Sequence, residues 1–177
     1  MHLLKSKWLS TTLLASVILL QGCGWHLRGA QALPPELKTL HLKTASDNSK
    51  FSRSLKRSLK AMDVSFADST SGAPYTLSVS GITPTTRTLS TTGSAKVAEY
   101  ELTSTITYAV HSREGEQLIA PTQISTEKTY LYNSNNAVSS FEEESLLREE
   151  MQRELVQQLI RRYRAISPTP STVVEDE

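Results

Sequence analysis

One run of residues, Val97 to His111, constrains the fold more than any other part of the chain. Apolar side chains recur at every second position, and threonine or glutamate occupies most positions between them. A period of two is that of a β-strand, because successive side chains point to opposite faces of a sheet. The run therefore predicts a long strand with one face in a hydrophobic core and the other facing water or a polar partner. The apolar face comprises Ala98, Tyr100, Leu102, Ile106, Tyr108 and Val110, with Ser104 as the polar exception.

Shorter patterns on either side of this run predict three further strands, at 37–43, 75–82 and 118–132. The last strand contains Pro121, which cannot donate a ladder hydrogen bond, so we expect a late start, a bulge or an edge position there. Segment 85–94 consists mainly of Thr, Ser and Gly, and its low hydrophobicity predicts a flexible loop between strands.

Two segments carry apolar residues at helical spacing. The first follows a cluster of N-cap residues at 46–49, and the second follows Ser140 and Glu143, whose spacing is that of a capping box. We therefore expect the order β-α-β-β-β-α, an α+β two-layer sandwich in which two helices cover one face of a four-stranded mixed sheet. The two stripes are Phe51, Leu55, Leu59 and Met62, then Leu147, Met151, Leu155, Leu159 and Tyr163.

The N-terminal segment has the features of an export signal. A basic start with Lys5 and Lys7 precedes an apolar run at 8–20, which is too short for a comfortable bilayer span. The following residues, Leu20-Gln21-Gly22-Cys23, resemble a bacterial lipobox, in which the cysteine is acylated and the preceding peptide is cleaved. We expect a signal peptide at 1–22, a single domain at 23–166 and a disordered, Pro- and acid-containing tail at 167–177.

Cys23 is therefore the predicted lipid attachment site, and a covalent diacylglycerol with an N-acyl chain is the only expected prosthetic group. Two or three acyl chains hold a protein firmly, whereas one holds it marginally. The next residue, Gly24, is not the Asp that tends to retain such lipoproteins in the inner membrane, which favours the outer membrane.

Composition excludes several classes of function. Without Lys5 and Lys7 the chain has 17 basic and 18 acidic residues, which argues against nucleic-acid binding. With one cysteine and scattered histidines, no metal-ligand spacing is visible, and no catalytic motif is present. Helix capping and the helix dipole account for the acidic cluster Glu142 to Glu144 without catalysis. The sequence favours a non-enzymatic binding or assembly role.

The first predicted helix is the most basic stretch of the mature chain, and its interpretation stays open. A solvated helix face accounts for the charge, and so does contact with an anionic partner, either a phosphorylated lipid or an acidic protein surface. Its cations are Lys50, Arg53, Lys56, Arg57 and Lys60.

Several short motifs together resemble one family, the LptE lipopolysaccharide-assembly lipoproteins. The most specific is Cys23-Gly24-Trp25-His26-Leu27-Arg28-Gly29, followed by Leu33-Pro34 before a strand. The run Ala98-Glu99-Tyr100-Glu101-Leu102 is similar to the family's AEY-type motif, and the later matches are Tyr130-Leu131-Tyr132-Asn133 and Glu149-Glu150-Met151. The resemblance covers essentially the whole mature chain.

This resemblance implies a lipoprotein, anchored in the cell outer membrane, that plugs the LptD β-barrel one to one from the periplasmic side. There it helps assemble the barrel and binds lipopolysaccharide for delivery to the outer leaflet. It also implies cations for the lipopolysaccharide phosphates, and the matching positions are Lys96, Lys128 and Arg87. The alternatives are a periplasm-facing lipoprotein that binds or regulates a cell-wall enzyme, or an anchored hydrolase, for which no catalytic cluster is visible.

Overall fold

A mixed β-sheet with two helices forms the part of the chain that the computed structural model describes, residues 33–93 and 96–166. The predicted signal peptide, Cys23 and the predicted tail lie outside these residues. The elements are β1 (Thr39–Thr44), α1 (Lys50–Lys60), β2 (Ser65–Phe66), β3 (Tyr75–Val79), β4 (Thr83–Thr91), β5 (Val97–Ser112), β6 (Gln117–Leu131) and α2 (Ala137–Arg164). The predicted α+β class, with a mixed sheet and two helices, is confirmed.

Strand β5 pairs with three other strands of the sheet. It pairs antiparallel with β6 on one edge, and on the other edge it pairs antiparallel first with β4 and then with β3. Strand β1 lies parallel to β3, and the two-residue β2 lies parallel to β1. The four predicted strands correspond to β1, β3, β5 and β6.

The predicted loop at 85–94 is wrong for most of its length, because β4 occupies Thr83–Thr91 and pairs with β5. Strand β4 continues β3 along the same edge of β5 after a short break. Within that break Ser80 donates its N–H to the Thr107 carbonyl and accepts the Thr107 N–H on Oγ, both at 2.8 Å. An edge strand with exposed side chains needs no apolar period, so backbone pairing forms it where periodicity gives no signal. The described residues therefore contain six strands, where four were predicted.

Alternate residues of the sheet pack against both helices in one hydrophobic cluster. Residues from β1, β3, β5, β6, α1 and α2 all belong to it, so both helices lie on the same face. A smaller cluster lies under the β4 end of the sheet, around Leu102, Tyr130 and Met151. The opposite face of β4, β5 and β6 has no described element packed on it, and on β6 it is exposed along Gln123, Ser125, Glu127 and Thr129. We call it the uncovered face.

The ends of the elements agree with the predictions in part. Ser49 caps α1, since its Oγ accepts the Ser52 N–H at 3.0 Å. A bulge occurs at Pro121, where the register of β5 and β6 shifts. The capping box at Ser140 is wrong, because α2 begins at Ala137 and the buried Ser140 hydroxyl instead accepts the Asn133 N–H at 3.1 Å.

Candidate functional site

The uncovered face of the sheet is a polar surface built from the outward positions of β4, β5 and β6. In each row across the sheet, one residue from each strand lies opposite the next, so that Arg87, Glu101 and Thr129 form one row. Directly opposed residues in antiparallel strands project to the same face. The surface offers hydroxyl groups, carboxylates and one guanidinium to a partner. Its neighbouring rows are Thr85, Thr103 and Glu127, then Thr83, Thr105 and Ser125.

Arg87 makes a two-pronged contact with Glu101 on this face. Its Nε lies 3.1 Å from Oε1, and its Nη2 lies 2.9 Å from Oε1 and 3.0 Å from Oε2. The arginine side chain is 68% exposed and the glutamate 18%, so the guanidinium is the part a ligand can reach. A phosphate offers the same paired oxygens as the carboxylate.

Lys128 lies on the other face of the sheet. It is opposite Leu102, whose side chain is fully buried in the smaller cluster, and its Nζ contacts Glu150 Oε1 on α2 at 3.1 Å. Arg87 is opposite Glu101, one residue earlier on β5, so Arg87 and Lys128 project from opposite faces. The three predicted cations therefore do not form one cluster.

Lys96 immediately precedes β5 and is exposed. Its backbone is held by Thr92, which donates its N–H to the Lys96 carbonyl at 2.7 Å and accepts the Lys96 N–H on Oγ1 at 3.3 Å. Among the described residues its ammonium group forms no ion pair. Arg87 and Lys128 each pair with a glutamate, whereas Lys96 has no such partner in the described part of the chain.

Sequence reasoning missed a polar network between the sheet and α2. Glu144 accepts hydrogen bonds from Tyr130 Oη at 2.9 Å and from Arg148 Nε at 2.7 Å, and Arg148 Nη2 donates to Thr86 Oγ1 at 2.8 Å. Burial, and then the bond to Glu144, raise the pKa of Tyr130. The four-residue spacing of Glu144 and Arg148 was the available signal.

Three tyrosines continue this network towards the β4 end of the sheet. The Tyr100 ring centroid lies 5.7 Å from that of Tyr130 and 5.4 Å from that of Tyr132, the second pair edge to face. Such pairs add specific geometry to apolar burial. Because Glu144 on α2 accepts a hydrogen bond from Tyr130 of this tyrosine group, its role is to fix α2 on the sheet.

The described residues offer little to catalytic chemistry. No group of three or more His, Asp or Glu side chains within them is placed to hold a metal ion. His41 Nδ1 lies 3.1 Å from the Ala67 carbonyl, a structural contact between β1 and the segment after β2. Within the same residues, neither helix has the length and apolar character needed to cross a bilayer.

Comparisons with known proteins agree with this architecture. A family model described as LptE, Lipopolysaccharide-assembly, matches residues 37–163. The LPS-assembly lipoprotein LptE of Pectobacterium atrosepticum is 29% identical over 153 residues, which are 86% of this chain and 82% of that protein.

Solved structures support the fold. The rare lipoprotein B from Shewanella oneidensis superposes with a TM-score of 0.64 at 23% identity, over 70% of this chain and 92% of its own. An uncharacterized lipoprotein B from Nitrosomonas europaea gives 0.66 at 19% identity, over 78% of this chain and 88% of its own. At these identities the likeness concerns the fold.

Proposed function

This chain belongs to the LptE family of lipopolysaccharide-assembly lipoproteins, which are not enzymes, and from that premise we propose that it plugs the lumen of the LptD β-barrel in a one-to-one complex. In that position it assists assembly of the barrel and binds lipopolysaccharide on its way to the outer leaflet. The coarse role, lipopolysaccharide assembly, follows from the family.

The observation that carries the plug hypothesis is the uncovered face. Strands β5 and β6, with 16 and 15 residues, far exceed the usual strand of about five or six residues. Most of their outward side chains carry hydroxyl, amide or carboxyl groups, the exposed Leu131 opposite Glu99 is an apolar exception, and no described element covers them. The interior of a large outer-membrane barrel is polar, so its wall is a suitable partner for such a surface.

Lipopolysaccharide binding is assigned first to Lys96 and Arg87. Lys96 is exposed and without a carboxylate partner among the described residues, and the Arg87 fork matches the paired oxygens of a phosphate. Lys128 projects from the face opposite to Arg87, so it would meet a phosphate separately from that residue, and only after its ammonium leaves Glu150.

Membrane attachment is assigned to Cys23, through a diacylglycerol and an N-acyl chain. This part of the proposal comes from the lipobox-like residues and from Gly24, which favour the outer membrane over the inner one. The domain then faces the periplasm within the barrel lumen. Metabolic labelling with a radioactive fatty acid tests it: we expect label on the protein and none on a Cys23→Ala variant.

A detergent pull-down of the tagged, full-length protein from outer membranes tests the plug hypothesis. We expect a heat-modifiable β-barrel in equimolar amount. Thr103→Arg, in the centre of the uncovered face, should reduce barrel recovery several-fold, whereas Thr70→Arg, an exposed residue in the 3-10 turn Thr70–Gly72, should leave it unchanged. Recovery of free monomer, or of a cell-wall enzyme in place of a barrel, would show the proposal to be wrong.

A further inference from the structure

Three segments meet at one end of the domain. The Tyr163 hydroxyl near the end of α2 donates to the Leu37 carbonyl at 3.0 Å, and the Ser65 N–H, just after α1, donates to the Lys38 carbonyl at 2.7 Å. Arg164 Nη2 lies 2.8 Å from Met62 Sδ. The entry of the chain into the domain therefore lies beside the C-terminal ends of both helices.

This end carries six cations, which we call the anchor-end patch. None of them takes part in any of the five ion pairs formed among the described residues. Segments 36–38, 57–65 and 161–166 contain two carboxylates, Glu36 and Asp63, and Arg57 and Lys60 also line a pocket with Asp47 and Asp68. Arg164 in addition has a buried Nε with no hydrogen-bond partner in the part of the chain that the structure describes. The patch consists of Lys38, Arg57, Lys60, Arg161, Arg162 and Arg164.

The far end of the helix layer has the opposite charge. The first half of α2 carries Glu142, Glu143, Glu144, Glu149 and Glu150 against Arg148 alone. The domain is thus electrically polarised along α2, with its positive end at the point where the chain enters. A polarised domain beside a negatively charged surface is turned with its positive end towards that surface.

The proposed lipid anchor brings such a surface within reach. Ten peptide steps separate Cys23 from Leu33, and a fully extended chain of that length spans at most about 35 Å. Leu33 is buried in the core cluster that also holds Tyr163 and Leu59. Whatever holds Cys23 therefore lies within that distance of Leu33, four residues before the Leu37 carbonyl that the Tyr163 hydroxyl contacts.

We propose that the anchor-end patch contacts the anionic phospholipid headgroups of the leaflet that holds the lipid anchor, and so orients the domain on the membrane. The inference rests on the acylation of Cys23 proposed above. The acyl chains retain the protein, while the patch selects which end faces the bilayer. Clusters of four to eight Lys or Arg residues beside a membrane attachment point favour anionic lipid, and salt weakens that attraction.

Vesicle co-sedimentation tests the contact. The mature chain with Cys23→Ala is used, so that acyl chains cannot hold it, on phosphatidylcholine vesicles with or without about 30 mol% phosphatidylglycerol. We expect at least tenfold more binding to the anionic vesicles at low salt, lost at about 0.5 M salt. Arg161→Glu with Arg162→Glu should remove the difference between the two vesicle types. Lys43→Glu with Arg113→Glu changes the net charge equally at exposed positions outside the patch and should retain it.

Because Glu is unfavourable at a helix C-terminus, the pair Arg161→Gln with Arg162→Gln serves as a second variant and should lower binding several-fold. Equal binding to both vesicle types, or equal losses in the patch and control variants, would overturn the inference. The inference would also be overturned if the patch variants lost the barrel in the pull-down but still bound anionic vesicles as before. That result would place an acidic protein surface on the patch. The pull-down of the unmodified protein reports separately on the plug proposal.

Discussion

The hydroxyl of Tyr163 donates a hydrogen bond to the backbone carbonyl of Leu37, 126 positions earlier in the chain, at 3.0 Å. Both side chains are fully buried. The bond links the end of α2 to the 3-10 turn that precedes β1 and so closes the hydrophobic core at one end. A buried carbonyl that loses such a donor has no water to replace it.

Tyr163→Phe should therefore lower the free energy of unfolding by about 1 to 2 kcal/mol, since it removes the bond but keeps the ring. Urea denaturation followed by circular dichroism measures the change. Tyr108→Phe is the matched control, because Tyr108 belongs to the same core cluster but its hydroxyl has no hydrogen-bond partner among the described residues. We expect the control to change stability by less than about 0.5 kcal/mol.

Stability should fall as the pH rises above about 10. Burial raises the pKa of Tyr163 and of Tyr130, so above their ordinary value the unfolded chain releases phenolic protons that the folded chain keeps. The unfolded state then binds fewer protons, and the free energy of unfolding falls by up to about 1.4 kcal/mol per pH unit for each tyrosine. Denaturation midpoints between pH 9 and 11 measure this. Tyr163→Phe should lose stability less steeply than the unmodified protein, and equal slopes would contradict the assignment.

Periodicity predicted the elements that bury side chains on one face and failed for those that do not. The alternation from Leu102 to Val110 specified both the strand and its buried face. Strand β4 is held by backbone pairing with β5, and its side chains are mostly exposed, so its sequence carries no apolar alternation. The two residues of β2 are too few to show any period.

The candidate site was predicted as a set of residues, without its geometry. Whether two cations share a face depends on register, and Arg87 opposite Glu101 and Lys128 opposite Leu102 differ by one position on β5. A shift of one residue changes the face. No single-sequence pattern fixes the register of a strand that was itself predicted to be a loop.

Glu144→Ala should destabilise the protein by about 1 to 3 kcal/mol. The carboxylate accepts from both Tyr130 and Arg148, and the guanidinium of Arg148 already has a buried Nη1 without a partner within residues 33–93 and 96–166. Removing the carboxylate leaves a positive charge that is only 29% exposed without its partner. Glu143→Ala, one position earlier and exposed, should be nearly neutral in the same urea titration. Equal effects would mean that helix charge, not the network, matters.

Lys96→Gln should weaken binding of purified lipopolysaccharide about three- to tenfold, because it removes an exposed cation with no competing carboxylate among the described residues. Surface-immobilised protein and titrated lipopolysaccharide measure the affinity. Lys43→Gln is the control, since Lys43 is also an exposed lysine but lies on β1, which pairs with β2 and β3 and not with β5. Similar losses in both variants would indicate diffuse attraction in place of a site.

Arg87 and Glu101 should have opposite effects on the same affinity. The carboxylate occupies the Nε and Nη2 edge of the guanidinium and repels a phosphate that approaches its remaining N–H groups, so it opposes binding of lipopolysaccharide at Arg87. Glu101→Gln keeps the size of the side chain, removes its charge and should strengthen binding several-fold. Arg87→Gln should weaken binding by a similar factor, and in the double variant the gain from Glu101→Gln should disappear. If Glu101→Gln strengthens binding equally with and without Arg87, then the gain comes from reduced negative charge on the uncovered face, and Arg87 is not a phosphate contact.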